Sequence, residues 1–230
     1  MTQAMQVVDP HMHLWDLERL HYPWLAAPQM AFSGDNRLLA DTYTPARFRA
    51  DVDGIEVLAV VHVEAAQDPR NPLAETRWLQ SLADDGGLPH AIVAYADLSQ
   101  PDVDPLLAAH AAHRNVRGIR QILNVHADRR FDYVGRHFMR EPQWRAGFAR
   151  LQPHGLSFDL QIYPSQMRDA AELARRHPET TLNLNHTGMF VDRDTVAGWC
   201  EWRDGMRGLA AGRPLTGTAR SRSGYPSCPG

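Results

Sequence analysis

The sequence predicts an α/β fold in which six strand–helix units are arranged around a parallel sheet. Short β-branched or apolar segments alternate with amphipathic stretches along the 230 residues, which is the pattern of βα units. Proline and glycine signals mark where several of the intervening helices begin and end. With 43% hydrophobic and 22% charged residues, the chain is long enough to bury a large core as a single domain.

Six segments are predicted to be strands, because each is a short run of β-branched or other apolar residues bounded by polar or turn-forming residues. They lie at residues 6–9, 57–63, 91–96, 116–122, 157–162 and 181–185. Because amphipathic helical stretches separate them, the strands are expected to pair in parallel.

The helices that follow the first two strands have recognisable boundaries. Thr44 and Asn71 each precede a proline, which predicts a capping side chain followed by proline at the first helical position. The pair Gly86-Gly87 predicts the end of the second helix, because glycine is common just beyond a helix C-terminus.

Toward the C-terminus the sequence changes character. Apolar residues recur at helical spacing within 144–151 and 196–209, which predicts helices packed on a sheet. From Gly208 onward, a mixture of Gly, Pro, Ser, Thr and Arg has neither strand nor helix periodicity, which predicts a disordered tail. Two long loops, at 14–41 and 124–139, are expected to serve function, as long loops on regular scaffolds often do.

The charge balance favours a small-molecule substrate. The formal net charge is −3 and the pI about 6.4, with basic residues scattered along the chain, so neither nucleic acid nor an anionic membrane is an expected partner. Residues 1–8 do not resemble a secretory signal, and no segment reaches the roughly 18 apolar residues of a membrane span. We therefore expect a cytoplasmic protein, whose oligomeric state the sequence leaves open.

The most informative motif is Asp9-Pro-His-Met-His13, which ends the first predicted strand. His11 and His13 are two residues apart, so on a strand both imidazoles point to the same face. At the C-terminal end of a barrel strand, where barrel enzymes keep their active sites, imidazoles can bind a divalent metal or polarise a substrate carbonyl. The alternative is a surface pair that occurs by chance.

Several short motifs occur in an order that resembles one family. They are Asp9-Pro-His-Met-His-Leu-Trp15, Tyr22-Pro-Trp-Leu25, Val63-Glu64, Val116-Arg-Gly-Ile-Arg120, Gly155-Leu-Ser-Phe-Asp-Leu-Gln161 and Asn185-His186-Thr-Gly188. Each is weak alone, but their order resembles amidohydrolase family 2, which is related to sugar lactonases such as L-fuconolactonase and to pyrone dicarboxylate lactonase. The resemblance implies a (β/α)8 TIM barrel that is incomplete here, with about six of eight units within residues 1–211.

The resemblance also implies the chemistry. The family opens a cyclic ester with water, with or without one divalent metal such as zinc or manganese. His11 and His13 match the family's first-strand pair, and His186 matches a histidine after the sixth strand. These three are the predicted catalytic residues and, if a metal is used, its predicted ligands.

Two charged residues are predicted to contact substrate. Glu64 ends the second predicted strand with the same side-chain parity as His62; the alternative is a salt-bridged carboxylate at the strand end. Arg117 and Arg120 point to opposite faces of their strand, and we favour Arg120 as the interior residue that holds a carboxylate or developing oxyanion. Its alternative is an interior arginine paired with an acidic neighbour.

Three further residues are predicted to contact substrate. Asp159 and Gln161 share one face of the fifth predicted strand, where Asp159 either binds substrate or belongs to a buried structural network. Trp15, after the histidine pair, favours a lactonase. The other histidines, such as those at positions 110, 113 and 177, are expected at the surface, and Trp199 and Trp202 are expected to pack a helix.

The resemblance also implies two more βα units and an aspartate that activates water, which we do not find in this sequence. Residues 212–230 are then a non-homologous tail, for which a frameshift is one hypothesis. On this basis residues 1–230 are expected to fold poorly and to show no lactonase activity. The alternative functions are a metal-dependent decarboxylase of the same superfamily and a non-catalytic remnant.

Overall fold

The computed structural model describes residues 5–28, 30–31 and 34–212, where strands alternate with helices. The strands are β1 (Gln6–Met12), β2 (Met30–Ala31), β3 (Gly34–Asp35), β4 (Glu56–Val63), β5 (Ala91–Tyr95), β6 (Val116–Ile122), β7 (Ser157–Gln161) and β8 (Leu182–Leu184). The helices are α1 (Pro23–Ala26), α2 (Pro45–Asp51), α3 (Leu73–Gly86), α4 (Val103–Ala111), α5 (Pro142–Phe148), α6 (Met167–Arg176) and α7 (Val196–Gly212). The six predicted strands are confirmed.

These six strands form a sheet in the order β1-β4-β5-β6-β7-β8, which is their order along the chain. The pairs β1–β4, β4–β5, β5–β6 and β7–β8 are parallel, and a helix follows each strand before the next strand of the sheet begins. The short strands β2 and β3 form a separate antiparallel pair within the first long loop. The fold is therefore an incomplete TIM barrel of six βα units, as the sequence predicts.

The chain divides into two compact units. The N-terminal unit comprises Met1–Ala96 and Asp104–Arg120, and the C-terminal unit comprises Asp97–Val103 and Gln121–Gly230. The N-terminal unit has an apolar core of fully buried residues from its strands and helices, which includes Val60, Leu79, Ile92, Leu107 and Ile119. Burial of such side chains is the main favourable contribution to folding.

The prediction that His110 lies at the surface is wrong. Its side chain on α4 is fully buried, and its Nδ1 atom lies 3.0 Å from the Thr76 hydroxyl on α3. His110 occupies the same face of α4 as Leu107, three residues earlier, and that face packs inward. The hydroxyl contact partly offsets the cost of burying a polar ring.

The two predicted helix starts differ in detail. Thr44 is the N-cap of α2 and Pro45 is its first residue, although the Thr44 side chain makes no capping hydrogen bond. Helix α3 begins at Leu73, so Pro72 and not Asn71 occupies the capping position. The end is as predicted, because Gly87 caps α3 in the left-handed conformation with φ of 77°.

The C-terminal unit has an aromatic core. Trp144 and Phe148 on α5 stack with ring centroids 5.4 Å apart, and both pack edge-to-face against Phe158 on β7. Gly147 lies between them in sequence, and a Cβ atom there would lie 2.0 Å from the carbonyl oxygen of Leu98. Glycine therefore allows α5 to approach the backbone at Leu98.

The predicted C-terminal helix extends further than expected. Helix α7 continues to Gly212, with Leu209 only 2% exposed near its end, so the prediction of disorder from Gly208 is wrong for residues 208–212. A buried leucine holds this last part of the helix despite its small residues. The predicted tail at 213–230 lies outside the described residues.

Among the helices of the described residues, none has the length and apolar character that a membrane span requires.

Candidate active site

The end of β1 carries the two histidines of the predicted site. The strand ends at Met12, three residues beyond the predicted end at Asp9. His11 therefore lies within the strand, and His13 directly follows it. Met12 is in register with His62 on β4. The rings of His11 and His13 are edge-to-face, with centroids 5.1 Å apart. The structure therefore brings the predicted pair together in the N-terminal unit.

One backbone contact fixes the tautomer of His13. Its Nδ1 atom lies 2.7 Å from the carbonyl oxygen of Val63, and because a carbonyl can only accept, Nδ1 must carry the proton. Its Nε2 atom then has a lone pair. Burial lowers the pKa of His13 well below its usual range, and the nearby Arg120 charge and His62 ring lower it further. His13 is therefore a neutral imidazole at neutral pH, able to accept a hydrogen bond or to ligate a metal at Nε2.

A third histidine, His62, lies close to His13. It is fully buried on β4, and its ring centroid is 6.2 Å from that of His13. The backbone N–H of Leu14 donates to His62 Nδ1 at 3.0 Å, so the His62 proton is on Nε2. That Nε2 atom points toward the Glu75 carboxylate, whose Oε2 is 3.8 Å away.

Glu64 and Arg120 form a buried ion pair. Arg120 Nε donates to Glu64 Oε1 at 2.7 Å, and the two residues are only 4% and 1% exposed. The backbone N–H of Ala66 donates to Glu64 Oε2 at 2.7 Å. Burial and the nearby Glu75 carboxylate raise the pKa of Glu64, and Arg120 opposes that rise. Glu64 is thus a salt-bridged carboxylate and Arg120 an interior arginine with an acidic partner, which are the alternatives to substrate binding that the sequence offers. A role of either residue in binding substrate stays a prediction.

The backbone just beyond β4 is strained next to this pair. Ala66 has φ of 53°, a left-handed conformation that is uncommon for a residue with a Cβ atom. Its N–H is held by Glu64, and the preceding N–H of Ala65 is held by Glu75 at 3.2 Å. Two carboxylates therefore maintain the sharp turn at the carboxyl end of β4.

Glu75 is a site residue that the sequence reasoning missed. It lies in the first turn of α3 and is only 4% exposed. Burial raises the pKa of the Tyr22 hydroxyl, and the negative charge of Glu75 raises it further. One signal was present: Trp78 and Leu79 follow Glu75 at three and four residues, which places all three on one helical face.

Trp15 lies in an aromatic and apolar cluster. Its ring is edge-to-face with Trp24 and tilted against Tyr43, with both centroid distances 5.9 Å, and Tyr22 and Leu25 belong to the same cluster. The Trp15 indole N–H donates to the carbonyl oxygen of Asp41. Trp15 is 8% exposed, and its contacts pack the first long loop against the rest of the N-terminal unit.

In the C-terminal unit, Asp159 is the centre of a buried polar group. Its carboxylate accepts hydrogen bonds from Asn183 Nδ2 at 3.0 Å and Asn185 Nδ2 at 2.9 Å, and Asp159 and Asn183 are in register on β7 and β8. Gln161, two residues later on β7, is also buried. The two asparagines hold the Asp159 carboxylate in one orientation. Asn185 opens one of the motifs that carry the family resemblance, but the sequence did not predict that either asparagine contacts Asp159.

His186 follows β8 in the turn Asn185–Gly188, in the same unit. His186 and Thr187 in this turn, and Met189 directly after it, have φ of 50°, 53° and 40°, so three residues with a Cβ atom are left-handed here. His186 also lines a cavity of about 540 Å³. Other residues that line this cavity are Thr187, Phe190, Arg193, Trp199 and Trp202.

The predicted metal ligands belong to different units, with His11 and His13 in the first and His186 in the second. His13 fits a ligand, because a metal-bound histidine commonly donates its other ring N–H to a backbone carbonyl. Within residues 5–28, 30–31 and 34–212, however, no group of three or more His, Cys, Asp or Glu is arranged to hold a metal ion. Metal ligation therefore stays a prediction.

Comparison with known proteins identifies the family. The amidohydrolase family model matches residues 8–221. The uncharacterised protein y4mH of Sinorhizobium fredii is 45% identical over 207 residues, which are 89% of this chain and 69% of that protein. L-fucono-1,5-lactonase of Burkholderia multivorans is 29% identical over 208 residues, 89% of this chain and 64% of that enzyme.

A solved structure agrees with these relatives. The crystal structure of an amidohydrolase from Burkholderia multivorans with bound zinc has a TM-score of 0.67 at 28% identity, covering 89% of this chain and 66% of that one. The chain thus spans about two thirds of the length of the relatives that it matches. Because the family model covers most of its residues, and one relative is 45% identical, the chain belongs to the amidohydrolase family.

Proposed function

We propose that this chain carries the histidine site of a hydrolase that opens a sugar-derived lactone by attack of water. The observation that carries the proposal is the His13 ring after β1, whose Nδ1 is bound to the Val63 carbonyl and whose pKa is lowered by burial and by the charge of Arg120, the buried partner of Glu64. A lactone is the substrate class because the relative from Burkholderia multivorans is named L-fucono-1,5-lactonase.

The tautomer assigns a role to His13. With its proton held on Nδ1 by Val63, the ring has no Nε2–H to donate to a substrate carbonyl. It accepts instead, so we propose that Nε2 accepts a proton of the attacking water and orients it. The sequence-based idea that the histidines polarise the ring carbonyl therefore does not apply to His13 in this tautomer.

Arg120 supplies positive charge in the same unit. Its guanidinium is fixed by Glu64, so it cannot turn away from the site without breaking a buried ion pair. Water adds to the lactone carbonyl carbon as its proton passes to His13 Nε2, and negative charge develops on the carbonyl oxygen. The bond from that carbon to the ring oxygen then breaks as the ring oxygen takes the proton that His13 accepted. A fixed cation favours such a charge. The product is a hydroxy acid.

No step is assigned to a metal, because a complete ligand set is lacking in the described residues. The structure of the amidohydrolase from Burkholderia multivorans contains zinc. Were a divalent metal bound here, His13 Nε2 would be one of its ligands instead of the acceptor for water, and the metal would supply a Lewis acid.

Binding of the sugar acid product tests this site without requiring turnover. Sugar acids from a panel of lactones are titrated calorimetrically, with and without zinc or manganese. We expect saturable binding that His13→Ala weakens by roughly tenfold or more, because it removes a placed polar contact.

The matched control is His113→Ala. His113 also has its Nδ1 atom close to a backbone carbonyl, that of Ala109 at 2.9 Å, but it lies just beyond α4 and outside the proposed site. We expect this variant to bind like the parent chain. Absence of saturable binding, or equal binding by the His13→Ala variant, contradicts the proposed function.

A further inference from the structure

Glu75 is a buried carboxylate that the proposed function does not use. Its Oε1 atom accepts the Ala65 backbone N–H at 3.2 Å, and its Oε2 atom lies 3.8 Å from His62 Nε2. Both neighbouring groups are donors, because the His62 proton is on Nε2 when Nδ1 accepts from Leu14. Two donors therefore face one buried carboxylate. The Ala65 N–H is within hydrogen-bond distance, whereas His62 Nε2 is beyond it and interacts with the carboxylate charge over 3.8 Å.

His62 links this carboxylate to the predicted site. One imidazole ring makes both contacts. Its Nδ1 atom accepts from the Leu14 N–H, and its Nε2 atom faces Glu75. Leu14 directly follows His13 in the chain, and it is fully buried. The orientation and tautomer of His62 thus act on the backbone that carries the His13 side chain.

We propose that Glu75 and His62 are positioning residues, which hold the segment after β1 so that His13 Nε2 faces the lactone. The proposal deepens the proposed function and rests on it for the identity of the ligand. Neither residue needs to touch substrate. The Leu14 N–H sets the His62 tautomer, and the Glu75 carboxylate favours the same tautomer because its charge faces the protonated Nε2. The contact between His13 and Val63 completes the orientation of the His13 ring.

The chemistry of the contact requires a carboxylate. Both oxygens of a carboxylate accept, whereas an amide of the same shape presents an NH2 group to one of the two donors. In Glu75→Gln, that NH2 group faces either the Ala65 N–H or His62 Nε2. In the second case, His62 is driven to the other tautomer and its Nδ1 can no longer accept from Leu14. Either outcome leaves a buried donor without an acceptor.

Nitrogen NMR of histidine-labelled chain tests the proposal without any ligand. In the parent chain, we expect a protonated Nε2 and a bare Nδ1 in His62, and the reverse in His13. Glu75→Gln is expected to change the His62 nitrogen signals or to broaden them by exchange, and to shift the Leu14 amide and the His13 ring. Sugar acid binding should also weaken by roughly tenfold or more, since small misplacements are costly.

Thr76→Val is the matched control. Thr76 is the next residue of α3, is just as buried, and also contacts a histidine, His110, but on a different face of the helix. We expect its removal to lower stability while the His62, Leu14 and His13 signals keep their parent values. This comparison separates positioning from a general loss of packing.

The outcomes distinguish this proposal from the proposed function. A proton on His62 Nδ1 in the parent chain overturns the positioning role, even if the Glu75→Gln variant does not fold. Unchanged His62 and Leu14 signals in a folded Glu75→Gln variant overturn it as well. The predicted signals in all variants, together with no sugar acid binding by the parent chain, support the positioning of His13 and contradict only the lactone site.

Discussion

The chemical role of His13 depends on a single backbone contact. The motif with two histidines was visible in the sequence, but its spacing predicts only that both rings share a face. The tautomer, and with it the choice between donor and acceptor, follows from the carbonyl of Val63 at 2.7 Å. That contact joins residues 50 positions apart, so no local pattern could have predicted it.

The buried polar residues were the least predictable. In the sequence, nothing distinguishes Glu75, His62 and His110 from other polar residues of helices and strands. In the structure all three are buried: Glu75 lies near His62, and His110 contacts the Thr76 hydroxyl. Polar side chains are usually exposed, because burying one costs free energy unless a tertiary partner offsets that cost. Since the partner lies on another element, the sequence alone favours the wrong environment.

His110 should make stability depend on pH. Burial lowers its pKa to about 4 from the ordinary 6.5, so between these values the unfolded chain binds more protons than the folded chain. The stability associated with neutral His110 is complete above about pH 6.5 and is lost as the pH falls toward 4. By linkage the loss is at most about 3 kcal/mol.

Urea unfolding between pH 7 and pH 4.5 measures this effect. The His110→Phe variant cannot take up a proton at this position, so its free energy of unfolding should fall less over the same range. The comparison uses the change with pH and not the absolute stability, because the Phe side chain also removes the contact with Thr76. Identical pH dependence of both chains argues against a buried neutral His110.

At the scale of elements, the strands and helices were largely predictable because their signals are local. β-branched runs and amphipathic periodicity predicted the six strands of the sheet, and glycine predicted the end of α3. Exact ends were less predictable, since tertiary contacts decide them. The pairing of Met12 with His62 extends β1, and burial of Leu209 near the end of α7 keeps that helix regular beyond Gly208.

Because α5 contacts the backbone at Leu98, one methyl group added at Gly147 should lower the stability of the fold. In Gly147→Ala, the added Cβ would lie 2.0 Å from the Leu98 carbonyl oxygen, so the helix must move. We expect a loss of about 2 kcal/mol or more in the free energy of unfolding, which exceeds the helix-propensity gain of about 1 kcal/mol.

Gly208→Ala in α7 is the control for this variant. No atom lies within 4 Å of a Cβ added at Gly208, so the propensity gain of up to about 1 kcal/mol is unopposed. Chemical denaturation of both variants measures the difference. Equal stability of the two would show that α5 does not pack against Leu98 as described.

At the scale of the whole molecule, the order of motifs along the chain predicted more than any motif alone. The resemblance to amidohydrolases is confirmed by the family match over residues 8–221, and the incomplete TIM barrel by the fold. The predicted roles of the site residues are not tested by these comparisons. The expectation that residues 1–230 fold poorly and lack lactonase activity likewise stays a prediction.

A crystal structure of the chain soaked with the sugar acid product tests the central claim most directly, because it locates the ligand. We predict a ligand oxygen within hydrogen-bond distance of His13 Nε2, the atom that the Val63 contact leaves with a lone pair. A ligand ordered instead in the cavity lined by Phe190 and Trp202, with no contact to His13, would contradict the proposed site.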